Sequence, residues 1–293
     1  MSVLVAGATG FIGTELCAQL EQQGHTVLRL VRGEPQTSEE YFWSPEKLIV
    51  DPTAIASADA VVNLAAATTG RIPWTRDYKK QILFSRVRGS QAIAEAISRS
   101  DTPPSVFING SAVGYYGDRP GEILDETSSK GDGFLSDVVD AWELAARITP
   151  PSTRLVLART GLVIGNGGAL SPLIPLTLMG LGARIGPGTQ VWPWVSLRDE
   201  AAAIVHLLDS TIDGPVNIAG PMAATSARVT SALAHTLHRW HPWIVPEPAI
   251  RLLGDAGEQL LLWGQHVAPT RLLDDGFTFS DSTIDSALRQ LNR

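Results

Sequence analysis

Over roughly the first 160 residues, short apolar runs alternate with longer stretches whose apolar positions recur every three or four residues. The short runs cover residues 2–6, 25–31, 48–50, 60–65, 106–109 and 154–159. Most carry apolar residues at consecutive positions, so both faces of the strands they predict are covered. The longer stretches predict helices over 11–23, 78–98 and 134–148, the second with Ile82, Val87, Ile93 and Ile97 among its apolar positions. Strands alternating with helices make βαβ units. Right-handed crossovers then give an α/β fold around a doubly wound, Rossmann-like parallel sheet. After about Gly165 the pattern changes. Prolines become dense, from Pro172 and Pro175 to Pro246 and Pro248, and short helices are predicted over 201–208, 226–239 and 282–291. The expected organisation is a domain over 1–165 and a smaller, mainly helical region over 166–293, laid on the carboxyl edge of the sheet.

The first strand runs into Gly7-Ala8-Thr9-Gly10-Phe11-Ile12-Gly13, which opens the first helix. In a dinucleotide site Gly7 permits the tight turn, Gly10 lets the backbone approach a pyrophosphate, and Gly13 lets the helix pack on the strand. The helix N-terminus adds free N–H groups and a positive dipole end, with Thr9, Phe11 and Ile12 in the same turn. Strand, glycines, helix and second strand all occur in order, which makes the motif a cofactor signal. An NAD site usually carries Asp or Glu about 20 residues after the glycines. Here that stretch reads Leu28-Arg29-Leu30-Val31-Arg32-Gly33 and has no acid. A guanidinium can bind a ribose 2′-phosphate through two N–H groups, so NADP(H) is expected over NAD(H). Arg32 at the strand end is the first choice for that contact and Arg29 the second. Asp51 follows the third predicted strand. It can accept from an adenine amine, or it can cap the helix that Pro52 begins.

Charge and cysteine content narrow the partners. The formal net charge is −7 with no basic run, which argues against nucleic acid or an anionic membrane surface. Cys17 is the single cysteine, so no intrachain disulfide can form, as suits a reducing, cytoplasmic setting. The first residues carry no basic segment and read as the opening strand, not as a signal peptide. The apolar stretch near 169–185 is broken by Pro172, Pro175, Gly180 and Gly182 and is too short for the ~20 residues of a span. No Gly-x-Ser-x-Gly elbow and no outstanding pair of carboxylates supports a hydrolase.

Further motifs carry a family resemblance. They include Asn63-Leu64-Ala65-Ala66 at a strand end and Ser111-Ala112-Val113-Gly114-Tyr115-Tyr116-Gly117 after another. Trp74 precedes a helix with Ser85-Arg86, and Phe134-Leu135 leads to Trp142-Glu143. Arg159-Thr160-Gly161 is followed by Gly165-Asn166-Gly167-Gly168 and Trp194-Val195-Ser196-Leu197-Arg198-Asp199. Gly264-Gln265-His266-Val267-Ala268-Pro269 and Gly276-Phe277 mark the tail. Together these resemble the extended short-chain dehydrogenase/reductases, and within them the atypical, YfcH-like "epimerase family protein" group of the NAD-dependent epimerase/dehydratase superfamily. That group carries its own C-terminal module, here about 245–293. The resemblance spans almost the whole chain. It implies a Rossmann-like cofactor domain and an oxidoreductase or epimerase acting on a small carbonyl or sugar-like substrate. It also implies that Leu64, Ala65 and Ala66 pass along the pyrophosphate and ribose, and that Gln81 and Arg86 face the cofactor. Thr160 would lie near the nicotinamide amide. Superfamily members often dimerise through the helices corresponding to 78–98 and 134–148.

One departure affects the chemistry. Reductases of this superfamily use Tyr-x-x-x-Lys on the helix after the Ser strand. Aligning Glu143 with the acid four residues past that Lys puts Leu135 and Val139 at the Tyr and Lys positions, and neither can move a proton. Leu135, Val139 and Trp142 form one apolar stripe at i, i+4 and i+7. Three residues are candidates to replace the missing pair. Ser111 stands where a substrate carbonyl is normally polarised, and Tyr115 and Tyr116 on the next loop are either proton donors or packing residues. A catalytic reading therefore competes with that of an NADP(H)-binding regulator or redox sensor without turnover. Trp192 and Trp194 either line the cleft or fill the core of the second region. His235, His238 and His241 are spaced i, i+3 and i+6 and the first pair could share a helix face, but no Cys or Asp joins them and Trp240 and Pro242 suggest a helix end, so no metal is expected.

Overall fold

The computed structural model describes residues 1–292. In chain order the first elements are β1 (Ser2–Ala6), α1 (Phe11–Gln22), β2 (Thr26–Val31), β3 (Glu40–Ser44), β4 (Ile49–Val50), α2 (Pro52–Ala56), β5 (Ala60–Asn63), α3 (Arg76–Ser98), β6 (Val106–Ala112), β7 (Arg119–Leu124), α4 (Phe134–Ala146) and β8 (Arg154–Thr160). Strands β4, β3, β2, β1, β5, β6 and β8 lie side by side in that order, and a later strand, Gly214–Ile218, closes the far edge beside β8. Every pairing is parallel except that of β3 with β4. Strand order turns around β1, so the crevice outside the carboxyl ends of β1 and β5 is where such a sheet binds ligands.

The consecutive apolar residues of the strands face two cores. On one side Leu16, Cys17 and Leu20 of α1 and Ala201, Ile204, Leu207 and Leu208 of the helix Leu197–Asp209 pack on Val3, Val5, Val62 and Ile108. On the other side Ala92, Ile93 and Ile97 of α3 pack on Leu4, Val61, Phe107 and Leu157. Side chains start several helices by accepting a free first-turn N–H. Among them are Thr75 at α3, Asp51 at α2 and Ser196 at the helix Leu197–Asp209.

Two elements depart from the sequence pattern. The third parallel strand is Glu40–Ser44, and the predicted run at 48–50 is the short antiparallel edge strand β4 that folds back on it. β3 was hidden because its sequence, Glu40-Tyr41-Phe42-Trp43-Ser44, mixes charge with aromatics and buries only Trp43. The boundary near residue 165 does not divide the sheet either. The chain beyond it supplies Gly214–Ile218 to the central sheet, paired with β8 from Val156 to Thr160. What stands apart is a helical lobe with its own core around Trp192, Trp194, Leu233, Ile250 and Leu288. Within the tail, Gln265–Val267 pairs with β7, and the Asp199 carboxylate accepts from the Ser280 and Asp281 N–H groups. Among the described residues no helix is long and apolar enough to cross a membrane.

Candidate functional site

The glycine loop has the close contacts its motif demands. Gly7 has φ +84°, and a Cβ there would stand 2.9 Å from the Ala65 nitrogen, at the start of the loop after β5. At Gly13 a Cβ would lie 2.1 Å from the Gly7 carbonyl oxygen, so only glycine lets α1 approach the turn this closely. The Gly10 N–H donates to the Gly7 carbonyl at 2.9 Å. No side chain caps α1, and Thr9 and Gly10 are exposed. The first N–H groups of α1 are therefore left for an anion. Ile12 packs against the core, and the Phe11 ring lies against Gly165, Gly167 and Gly168.

At the end of β2 the two arginines differ. Arg29 is tied to Glu21 of α1 at 3.0 Å. Arg32 is exposed and has no hydrogen-bond or ion-pair partner among the described residues. Asp51 is a helix cap: its Oδ1 accepts from the Thr53 N–H at 2.9 Å and the Thr53 hydroxyl at 2.7 Å. Its own N–H donates to the Phe42 carbonyl, and Phe42 pairs with Val31 at the end of β2. The Asp51 backbone is thus tied close to the end of β2, with the carboxylate Oδ1 committed to the cap.

The loop after β5 rests on a buried polar cluster. Asn63 Nδ2 donates to Asn109 Oδ1 at 2.9 Å and Ser90 Oγ donates to the same oxygen at 2.7 Å. Trp142 Nε1 donates to Ser90 Oγ at 2.8 Å, tying α4 to α3. Asn63 Oδ1 accepts from the Ala65 N–H at 3.2 Å and so shapes the turn. Leu64 and Ala65 are half-buried, Ala66 is exposed, and Gln81 on α3 is exposed as well. Arg86, half-buried one turn further along α3, donates from Nη1 to the carbonyls of Ala67 and Ile82, both at 3.0 Å. Its guanidinium carbon stands 5.1 Å from the centre of the Trp142 ring.

The three candidate proton-handling residues separate. Ser111 is buried and donates its one hydroxyl proton to Glu143 Oε1 at 2.7 Å, so it cannot polarise a substrate oxygen in this arrangement. Tyr116 is fully buried. It donates to Asn217 Oδ1 at 2.7 Å and accepts from Arg159 Nη1 at 3.0 Å. Burial pushes its pKa up to about 12, against the pull of Arg159. Tyr116 is therefore a structural phenol and not a proton donor to substrate. Tyr115 is half-buried, its hydroxyl has no partner among the described residues, and the Arg159 guanidinium lies 3.6 Å from its ring centre. Arg159 also clasps Glu143 through Nε to Oε1 at 2.8 Å and Nη2 to Oε2 at 3.0 Å. Burial disfavours this cation, but the Glu143 carboxylate outweighs that and holds its pKa above the ordinary arginine value. Thr160 donates to Glu200 Oε1 at 2.7 Å.

The stripe on α4 faces this loop. A Cβ on Gly114 would stand 3.5 Å from Leu135 Cβ and 3.8 Å from Val139 Cγ2. The C-terminal module covers the start of the helix. Gln259 Oε1 accepts the Leu135 N–H at 2.9 Å, and the Trp263 ring lies where a Cβ on Gly133 would go. Trp192 and Trp194 are buried in the second lobe, so they fill its core and do not line the cleft.

Sequence reasoning used Glu143 only as a landmark and passed over Arg159, Asn63, Asn109, Glu200 and Gln259. A signal existed for the ion pair: Arg159 directly follows the apolar run Leu155 to Ala158, and Glu143 interrupts the apolar run Trp142 to Ala146. Such charges persist in a core only when paired. Gln259 gave no signal, because it acts from a distant segment.

Comparison with known proteins adds to this geometry. The family model described as NAD dependent epimerase/dehydratase family matches residues 3–219, and a domain of unknown function, DUF1731, matches residues 245–291. The chain is 40% identical over 290 residues to the "epimerase family protein Mb2239" of Mycobacterium bovis, covering 98% of this chain and 96% of that one. Among solved structures, human epimerase family protein SDR39U1 (isoform 2) with NADPH matches with a TM-score of 0.90 and 32% identity, over 99% of each chain. A nucleoside-diphosphate sugar epimerase from Corynebacterium glutamicum matches with a TM-score of 0.81 and 31% identity, over 99% of this chain and 57% of that one.

Proposed function

Because the chain belongs to the NAD dependent epimerase/dehydratase family, we propose that it binds NADP(H) in preference to NAD(H) and is an oxidoreductase or epimerase of a small carbonyl or sugar-like substrate. The observation that carries the cofactor choice is the contrast at the end of β2. Arg29 is tied to Glu21, while Arg32 is exposed and has no ion-pair partner among the described residues, and no acid occupies residues 28–33. The glycine cradle fits the rest of the group, since a Cβ at Gly7 or Gly13 would close it. The human relative, matched at 32% identity, was crystallised with NADPH, which supports the same choice. In this reading Thr9 to Gly13 hold the pyrophosphate, Leu64 to Ala66 and Gln81 flank the ribose, Asp51 borders the adenine and Thr160 the nicotinamide end. The bound nicotinamide supplies hydride transfer. Tyr115 is the remaining phenol of the loop able to pass a proton to or from substrate. A homodimer would form across α3 and α4, where Phe84, Leu144 and Ile148 are exposed.

The test is a titration of NADPH and NADH on this protein and on Arg32→Ala. NADPH binds at least about tenfold tighter than NADH, and Arg32→Ala closes the gap, as loss of a bidentate phosphate contact requires. Equal affinity for the two nucleotides refutes the NADP(H) preference. A second reading, a nucleotide-binding sensor without turnover, draws on Leu135 and Val139 and on the committed proton of Ser111. Turnover of any substrate in a carbonyl panel that Tyr115→Phe abolishes removes the sensor. Tight NADPH binding with no oxidation across the panel removes the enzyme.

A further inference from the structure

Arg86 is a cation without a counterion. No carboxylate lies within ion-pair distance of it among the described residues. Its surroundings are two carbonyl oxygens and the face of Trp142. Burial pulls its pKa down to about 10, so it keeps its charge at neutral pH, and its partners are neutral oxygens and a ring, not a carboxylate. The geometry also selects one edge of the guanidinium. Nη1 carries two hydrogens, and both are taken, by Ala67 and Ile82. The Nε–H and the Nη2 hydrogens have no partner among the described residues, and neither nitrogen is sealed from solvent. That free edge presents two parallel N–H groups, the fork that matches a planar oxyanion.

Its hydrogen bonds anchor it to Ala67 and to its own helix, not where the phosphates of a dinucleotide belong. Those belong at the glycine turn, which abuts Ala65, and at Arg32 beyond β2. Arg86 is anchored two residues further out, at Ala67, over the Trp142 end of the α4 stripe. Val139 one turn away, where the family's lysine would stand, supplies no cation and packs towards Gly114. We propose that Arg86 is the anion receptor of the substrate cleft, and that the substrate is a carbonyl compound bearing a carboxylate, held through the Nε and Nη2 edge. This rests on the proposed reading of the chain as a cofactor-binding enzyme, with the Ala67 loop, α4 and the Val113–Tyr116 turn on its substrate side.

The experiment is calorimetric titration of malonate, oxamate and inorganic phosphate into the whole protein, with and without NADPH, for wild type, Arg86→Gln and Arg86→Lys. Wild type binds the carboxylates. Arg86→Gln weakens them at least about tenfold, and Arg86→Lys, which keeps the charge and loses the fork, falls between. NADPH affinity changes less than about threefold in either variant. If Arg86→Gln does not fold, the comparison of wild type with Arg86→Lys carries the same test. No carboxylate binding, or binding that the variants leave intact, overturns the proposal. So does a tenfold loss of NADPH affinity without any carboxylate site, which assigns Arg86 to the cofactor, and so does a preference for phosphate over both carboxylates. Carboxylate binding at Arg86 in a protein that takes up no NADPH leaves the receptor standing and refutes the cofactor reading instead.

Discussion

Glu200 gives the sharpest stability prediction. It lies in the first turn of the helix Leu197–Asp209 and is fully buried. Its Oε1 accepts from the Thr160 hydroxyl at 2.7 Å, and its Oε2 has no partner among the described residues. Burial pushes its pKa from 4.5 up to about 8, only partly opposed by Thr160. The folded carboxyl is thus mostly neutral at pH 7, while in the unfolded chain it is ionised. Between the two values the unfolded state binds fewer protons, so this group makes stability fall as pH rises from 4.5 to about 8. Below that window both states are protonated and the effect vanishes. The difference, 8 − 4.5 = 3.5 pH units, at ~1.4 kcal/mol each, corresponds to about 5 kcal/mol, of which about 3 kcal/mol accrues between pH 5 and pH 8. Glu200→Gln keeps the shape of the neutral acid and does not titrate. Urea unfolding of both proteins across that range should show the variant gaining about 3 kcal/mol on the wild type from the acid to the alkaline end. Stability curves that run parallel within ~0.5 kcal/mol refute the reasoning, because a carboxyl that ionises freely in the folded state has no such slope.

Other consequences follow from the same geometry. Glu143→Gln leaves Arg159 buried opposite a neutral amide and should cost about 3–5 kcal/mol in denaturant unfolding. Tyr116→Phe removes the hydrogen bonds to Asn217 and Arg159 and should cost about 1–3 kcal/mol while leaving NADPH affinity unchanged by titration. Gly13→Ala must push α1 off the Gly7 carbonyl. It should lower the melting temperature and abolish NADPH binding together, whereas Ala at exposed Gly33, with open space around it, should change neither.

What the sequence disclosed, and what it hid, follows from how local each cause is. The sheet and its glycine turn were legible because each shows in a short run: consecutive apolar residues that must be covered on both faces, or three glycines spaced over seven residues between a strand and a helix. The choice between Arg29 and Arg32 was open because it depends on Glu21, which lies on α1 and reaches across to β2 only in the fold. Ser111 and Tyr116 were plausible for the same reason. A hydroxyl in the right loop says nothing about whether its proton is already taken, and here the takers are Glu143, 32 residues on, and Asn217, 101 residues on. The two networks also explain each other. Once Arg159 clasps Glu143 and stacks on Tyr115, it holds Ser111 and Tyr116 in structural roles, while the Tyr115 hydroxyl and one edge of the Arg86 guanidinium have no partner among the described residues. Leu135 and Val139 are then no gap in a familiar site. They are apolar packing positions set against Gly114, with Val139 buried and Leu135 half-buried.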